Sequence, residues 1–302
     1  MAHDHTHAAP VNGDIGIAFK WAVILNVAYV LVETISGFAI GSLALLADAA
    51  HNLTDVAGLL IAWGAAVMSR RPPSELFTYG LGRSTIMAAL ANAAAILVGV
   101  GAVVWEAVQR FSEPVTIQAA PVLVVALIGI AVNAGTALLF RKERQHDLNA
   151  EGAFLHMAAD AAVSAGVVLA AFGMLITGWA WLDPLAAILV SLVIGWSSFG
   201  LLKTALGLSL DGVPHSVDRK AVEAWLGQRR GVSSFHDVHI WSLSTTKIAM
   251  TAHLVMPGGH PGDGFLEETA EELEHHFGIA HVTLQVETGD GNICRLAPAN
   301  TV

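Results

Sequence analysis

The chain has 302 residues, 54% of them hydrophobic and only 13% charged, against about 25% charged in an ordinary soluble domain. That balance makes a membrane protein the first expectation, and a net charge of -10 with no basic patch interleaved with aromatics excludes a nucleic-acid surface. The single cysteine, Cys294, excludes a disulfide framework and a thiolate-rich metal cage, and leaves the carboxylates and the 14 histidines as ligands.

The first residues, Met-Ala-His-Asp-His-Thr-His, lack a basic leader region, so the apolar segment behind them reads as a retained membrane span. His3, His5 and His7 form a tail that suits weak metal capture, or are incidental. Six segments approach or exceed the roughly 20 apolar residues that cross a bilayer: residues 16–39, 43–68, 84–110, 119–140, 150–177 and 182–206. All six are expected to be helices, because lipid offers no partner to open backbone groups. Positive charge sets their orientation. The second connector carries Arg70, Arg71 and Arg83 and the fourth Arg141, Lys142 and Arg144, whereas the first and fifth carry none. The even-numbered connectors and both termini are therefore expected in the cytoplasm, with Trp179, Trp181 and Pro184 at an outer interfacial turn.

Beyond Gly207 uniform apolarity gives way to alternating elements. An amphipathic helix is expected over residues 216–230, with Ser216 as N-cap and Asp218 in its first turn. Strands over 232–244 and 247–256, an acidic helix over 264–277 and a strand over 281–287 follow. The αββαβ order predicts a ferredoxin- or metallochaperone-like α+β domain with its helices on one face of the sheet. The organisation is thus a His-containing tail (1–14), a six-helix transmembrane domain (15–207) and a cytoplasmic α+β domain (208–302).

His51 and Asp55 in the second apolar segment, and His156 and Asp160 in the fifth, each have i, i+4 spacing. On a helix that spacing puts both side chains on one face, about 6 Å apart along the axis, so one ion can meet both. Two such helices supply four ligands. At ~1.5 Å per residue, Asp55 lies about 18 Å and Asp160 about 15 Å from the starts of their segments, near the middle of a ~30 Å hydrocarbon core. A carboxylate there costs about 2.5 to 3.5 kcal/mol even on insertion scales, an expense that folding alone does not explain. Two nitrogens and two oxygens suit tetrahedral zinc. Binding needs ionised Asp and neutral His, so protons and metal compete for the same atoms. The metal-free alternative is a pair of interhelical Asp–His clamps. Asp48 could join the site, line its approach or orient His51, whereas Glu33, Glu106 and Asn133 read as interhelical polar contacts. The repeated His-x-x-x-Asp in the middle helix of each three-helix half hints at an inverted repeat.

Residues 41–55 (Gly-Ser-Leu-Ala-Leu-Leu-Ala-Asp-Ala-Ala-His-Asn-Leu-Thr-Asp) and 77–83 (Phe-Thr-Tyr-Gly-Leu-Gly-Arg) resemble the cation diffusion facilitator family, especially its zinc-transporting branch. So do residues 151–160, 236–241 (His-Asp-Val-His-Ile-Trp), Ala252-His253 and 283–287 (Thr-Leu-Gln-Val-Glu). The resemblance spans nearly the whole chain. It implies a homodimer, alternating access, metal/proton antiport, transported ion at His51, Asp55, His156 and Asp160, and cytoplasmic metal positions at His236, His253, His281 and Glu287, which adds metal binding and dimerisation to the expectation for residues 208–302. Strand parity adds that His236 and His239 point to opposite faces, with His239 structural beside Trp241. His281 and Glu287 share a face but lie about 20 Å apart, so they cannot hold one ion without a bend. A metal-free dimerisation module is the alternative for this domain.

The chain lacks His-Glu-x-x-His and Gly-x-Ser-x-Gly, so no general base or nucleophile accompanies a metal, and an enzyme is not expected. A membrane-anchored metal sensor is a further class, but six helices with midplane ligands exceed what anchoring needs. The expected function is zinc/proton antiport out of the cytoplasm across a bacterial inner membrane, the alternative being broader zinc, cadmium, cobalt, nickel, iron and manganese selectivity.

Overall fold

The computed structural model describes residues 13–113, 115–139, 148–289 and 294–298, with backbone alone at 13–20, 22–23, 54–63, 66, 148–153 and 155–156. The histidine tail and the fourth connector, residues 141–147, lie outside the described residues. Six long helices come first: α1 (Gly13–Ile40), α2 (Leu43–Ser69), α3 (Ser84–Ser112), α4 (Ala119–Leu139), α5 (Leu148–Thr177) and α6 (Leu182–Ser209). Among the described residues, Ser84–Ser112, Ala119–Leu139, Met157–Thr177 and Leu182–Ser209 are long and apolar enough to cross a membrane. α1 adds a shorter apolar stretch, Ile24–Ile40. Phe38, Val98, Trp105, Leu169 and Trp196 stand exposed on these helices, an arrangement that lipid accommodates and water does not.

The chain divides into two compact units, residues 1–57 with 94–199 and residues 58–93 with 200–302. In the first, α4 packs on α1 and α5, around a core of Leu43, Leu45, Val122, Ala126, Val167 and Ala171. Small residues let these helices approach closely. Gly129 of α4 is one, since a Cβ there would lie 2.2 Å from the Tyr29 hydroxyl. At one end, fully buried Asp183 of α6 caps α2. It accepts from Ser42 Oγ at 2.5 Å and from the backbone N–H groups of Leu43 at 2.7 Å and Ala44 at 3.3 Å. Arg110 lies 3.9 Å from the same carboxylate and donates to the Gly41 carbonyl at 2.5 Å. These free N–H groups at a helix start need an acceptor in an apolar setting, and the acid supplies it.

In the second unit α7 (Arg219–Gly227), β1 (Ser234–Ser242), β2 (Ile248–Val255), α8 (Asp263–Phe277) and β3 (Ile279–Glu287) follow in the expected order. Asp218, not Ser216, caps α7 by accepting from the N–H groups of Lys220 and Ala221. The sheet order is β1-β2-β3, with β1 antiparallel and β3 parallel to β2. Parallel pairing follows from the crossover through α8. Val238, Ile240, Met250, Ala252 and Leu254 form one face and pack with Val222 and Leu226 of α7 and Leu273 of α8. The connector between α2 and α3 belongs to this unit. Its Tyr79 meets the His281 ring edge-on at 5.4 Å, Arg83 pairs with Asp211, and Thr85 Oγ1 accepts from the Thr245 N–H at 3.0 Å.

Candidate metal sites

Asp48, His51 and Asp55 fall on one face of α2, and His156, Asp160 and Ser164 on one face of α5. The two faces meet. His51 Nε2 lies 3.3 Å from Asp160 Oδ1, and Ser164 Oγ donates to Asp48 Oδ2 at 2.9 Å. Two donors that share a tetrahedral zinc at bonds of about 2.0 to 2.1 Å are separated by about 3.3 to 3.4 Å. The His51–Asp160 spacing therefore equals the edge of such a site. The rungs 48–164 and 51–160 define an antiparallel register whose next turn carries positions 55 and 156. The side chains of Asp55 and His156 themselves lie outside the described residues. Asp160 is buried, His51 half-buried, and a cleft lined by Ala47, Ala50, Gly99, Val103 and Ser191 reaches His51.

The second cluster sits on the sheet face away from α7 and α8. His236 and His253 are opposite one another in the β1–β2 ladder, and Glu287 ends β3 opposite Val255, two residues past His253. Cys294, beyond β3, completes the group, with one donor atom from each of the four residues within 4.8 Å of the others. Glu287 Oε1 lies 2.9 Å from His253 Nδ1 and 3.5 Å from His236 Nε2, and Cys294 Sγ is 3.7 Å from His253 Nδ1. A tetrahedral zinc with one sulfur at about 2.3 Å and one nitrogen at about 2.0 to 2.1 Å separates them by about 3.6 Å. His236 Nε2 is buried without a hydrogen-bond partner, a state that a metal bond would relieve. Desolvation works to raise the Glu287 pKa, but the Cys294 thiol, the Gln285 amide and the fields of His236 and His253 outweigh it and hold the carboxyl below its usual range.

His281 is not in this cluster. It pairs with Ala249 while Glu287 pairs with Val255, and its ring faces Tyr79. The parity expectation for His239 is corrected by a bulge: His236 opposes His253 and His239 opposes Thr251, three steps on β1 against two on β2. The extra residue, Asp237 at φ +50°, cancels the odd step, so both histidines share a face. His239 is kept apart by its partner, Asp237 Oδ1 at 2.9 Å, while Asp237 Oδ2 lies 3.4 Å from His253 Nε2. Asp237 thus orients a histidine of the cluster from outside it. Sequence reasoning missed Asp237 because a bulge leaves no periodic trace. It missed Cys294 because a lone cysteine outside any strand or helix carries no spacing signal.

Residues 20–208 match the family model described as cation efflux transmembrane domain, and residues 214–289 match that of the cation efflux protein cytoplasmic domain. The chain belongs to the cation efflux family. The zinc transporter ZitB of Escherichia coli is 36% identical over 95% of this chain and 93% of its own length. The cadmium, cobalt and zinc/H(+)-K(+) antiporter of Bacillus subtilis is 32% identical over 95% and 92%. A solved structure, the metal-bound C-terminal domain of the CzcD transporter from Cuprividus metallidurans, is 40% identical over 24% of this chain and 99% of that one, with a TM-score of 0.22. As a cation efflux protein the chain is a membrane transporter of divalent metal cations and not an enzyme. The two matches divide it into a helical membrane domain and the α+β domain of α7 to β3.

Proposed function

We propose that this cation efflux protein exports zinc from the cytoplasm in exchange for protons, through a membrane site of His51, Asp55, His156 and Asp160. The observation that carries the reading is the 3.3 Å contact of His51 Nε2 with Asp160 Oδ1 between α2 and α5. The α2–α5 register supports a second His–Asp pair one turn along, formed by His156 and Asp55. Two imidazole nitrogens and two carboxylate oxygens favour zinc, with cadmium and cobalt as the broader range that one relative's name includes. Cytoplasmic zinc binds the deprotonated ligands, a rearrangement of the helices opens the site outward, and protons arriving on His or Asp displace the ion. The protonated carrier then returns.

The C-terminal cluster is a second, regulatory zinc site of His236, His253, Glu287 and Cys294, with Cys294 in the place expected of His281. Zinc there tightens a homodimer, an assembly that the matching cytoplasmic-domain family supports, and favours the transport-competent population. Arginine placement supports cytoplasmic termini in a bacterial inner membrane, and the domains run over 1–14, 15–207 and 208–302.

The test is zinc flux into proteoliposomes with the acidic compartment inside. The wild type is expected to take up zinc and alkalinise the lumen, while Asp55→Ala and Asp160→Ala, folded and still binding zinc at the C-terminal site, lose flux by more than the about 10- to 100-fold that loss of even an outer partner of a metal ligand costs. Unchanged flux in either variant contradicts the assignment.

A further inference from the structure

Glu33 of α1 is fully buried, as are Asp48 of α2 and, nearly so, Tyr29 and Asn52. The Tyr29 hydroxyl donates to Glu33 Oε1 at 2.6 Å and Asn52 Nδ2 to Glu33 Oε2 at 3.3 Å. The Glu33 and Asp48 carboxyls lie within hydrogen-bonding reach of one another. Yet Asp48 Oδ1, buried, meets no donor when both acids are ionised, while Oδ2 accepts from Ser164. Two buried carboxylates in contact without a cation between them cannot both carry charge. A single proton on Glu33 removes the repulsion and gives Asp48 Oδ1 its missing donor.

α1 contributes Tyr29 and α2 contributes Asn52, both neutral donors to Glu33, and α2 also carries His51, whose charge when protonated acts on Asp48; α4, packed on α1, has no ionisable residue and is represented by Gly129 beneath the Tyr29 hydroxyl. α5 contributes the Ser164 hydroxyl and the charge of Asp160, which acts on Asp48. Among the described residues the partners of Glu33 are Tyr29, Asn52 and Asp48, none of them a ligand proposed above.

We infer that Glu33 and Asp48 form a proton-binding site separate from the metal ligands, and that this proton is one of those exchanged for metal. The inference rests on the membrane metal site proposed above. Asp48 lies three residues before His51, hence on the same face of α2 one turn away. A divalent cation at His51 and Asp160 places positive charge beside Asp48, so the pair tolerates two negative charges. The Glu33 carboxylic O–H then ionises, its proton passing to cytoplasmic water as the ion binds. When the ion leaves on the far side, a proton from external water returns to Glu33. The pair thus offsets one of the two positive charges that the ion brings into the membrane.

The experiment counts protons released per zinc bound by the full-length protein in detergent, with a pH-indicator dye in weak buffer. Glu33→Gln keeps the shape, the acceptor for Tyr29 and a donor for Asp48, but holds no labile proton. Asp48→Asn removes it the other way, by giving Glu33 an amide donor that keeps it ionised. Each is expected to release about one proton fewer per transported-site zinc, with affinity within about tenfold of wild type, and the double variant to lose the same one proton and not two. An unchanged count in either folded variant, an additive loss in the double variant, or loss of zinc binding in Glu33→Gln overturns the inference. If Glu33→Gln does not fold, Asp48→Asn alone decides by the same count. A wild type that binds no zinc in the membrane domain overturns the proposed function, and this site with it; a wild type that releases protons alongside unchanged variants overturns this site only.

Discussion

Cys294 decides the chemistry of the C-terminal cluster, because it changes a set of nitrogens and one carboxylate into one that includes sulfur. Cys294→Ser is expected to weaken zinc binding at that site by about 10- to 100-fold or more, the range that even an outer partner of a metal ligand commands, whereas His281→Ala leaves it unchanged. Equilibrium titration against a chelator of known affinity separates the two, and a large loss with His281→Ala contradicts the geometry. Glu287 adds a statement about pH. Its folded pKa lies below the ordinary 4.5, so it is ionised throughout the neutral range and competition from protons falls first on the other donors. Zinc affinity should therefore fall on acidification, since binding releases protons, while the penalty of Glu287→Gln should be the same at about pH 6 and about pH 8. A penalty that vanishes at the lower pH would mean that Glu287 is protonated there. His236, His253 and Glu287 were legible from the resemblance as separate positions. That they form one group was not, because their juxtaposition depends on strand register and on the Asp237 bulge.

At the scale of elements, α2 is organised by what binds its two ends and its middle. The i, i+4 pairs were readable because helical period is a property of sequence, and so were the six apolar segments, which match α1 to α6 within a few residues. The cap on α2 was not readable. Asp183 is 140 positions from Leu43, and no local pattern announces an acceptor supplied by another helix. Asp183→Ala is expected to cost at least the ~1 to 2 kcal/mol of an ordinary cap, and more because the buried Ser42 hydroxyl and the Leu43 and Ala44 N–H groups lose their acceptor, each unsatisfied buried donor costing about 1 to 3 kcal/mol. A thermal midpoint in detergent within one degree of wild type would contradict that account. The cap of α7 teaches the same lesson on a shorter range. Ser216 and Asp218 are both good capping types, and only the backbone decides that Asp218 reaches the N–H groups of Lys220 and Ala221.

On the scale of the whole molecule, the connector after α2 is part of the same compact unit as the C-terminal domain. Gly82 is required there: a Cβ would lie 2.7 Å from the Leu243 carbonyl oxygen, a backbone atom that cannot move aside cheaply. Gly82→Ala should destabilise this docking by about 1 to 3 kcal/mol. The expected outcome is faster proteolysis of the connector and slower metal flux, with zinc binding at the C-terminal cluster unchanged. The resemblance marked residues 77–83 as notable, but composition gave them no partner; contacts such as Tyr79 with His281 arise only when distant parts of the chain fold together. The claim on which the account turns is that His51 and Asp160 hold the transported metal. X-ray absorption on zinc-loaded full-length protein carrying His253→Ala and Cys294→Ser, which removes the C-terminal site, tests it most directly. The account predicts one zinc per protomer with only nitrogen and oxygen neighbours at about 2.0 to 2.2 Å, lost on adding Asp160→Ala; no bound zinc in the first protein, or the same spectrum after Asp160→Ala, would contradict it.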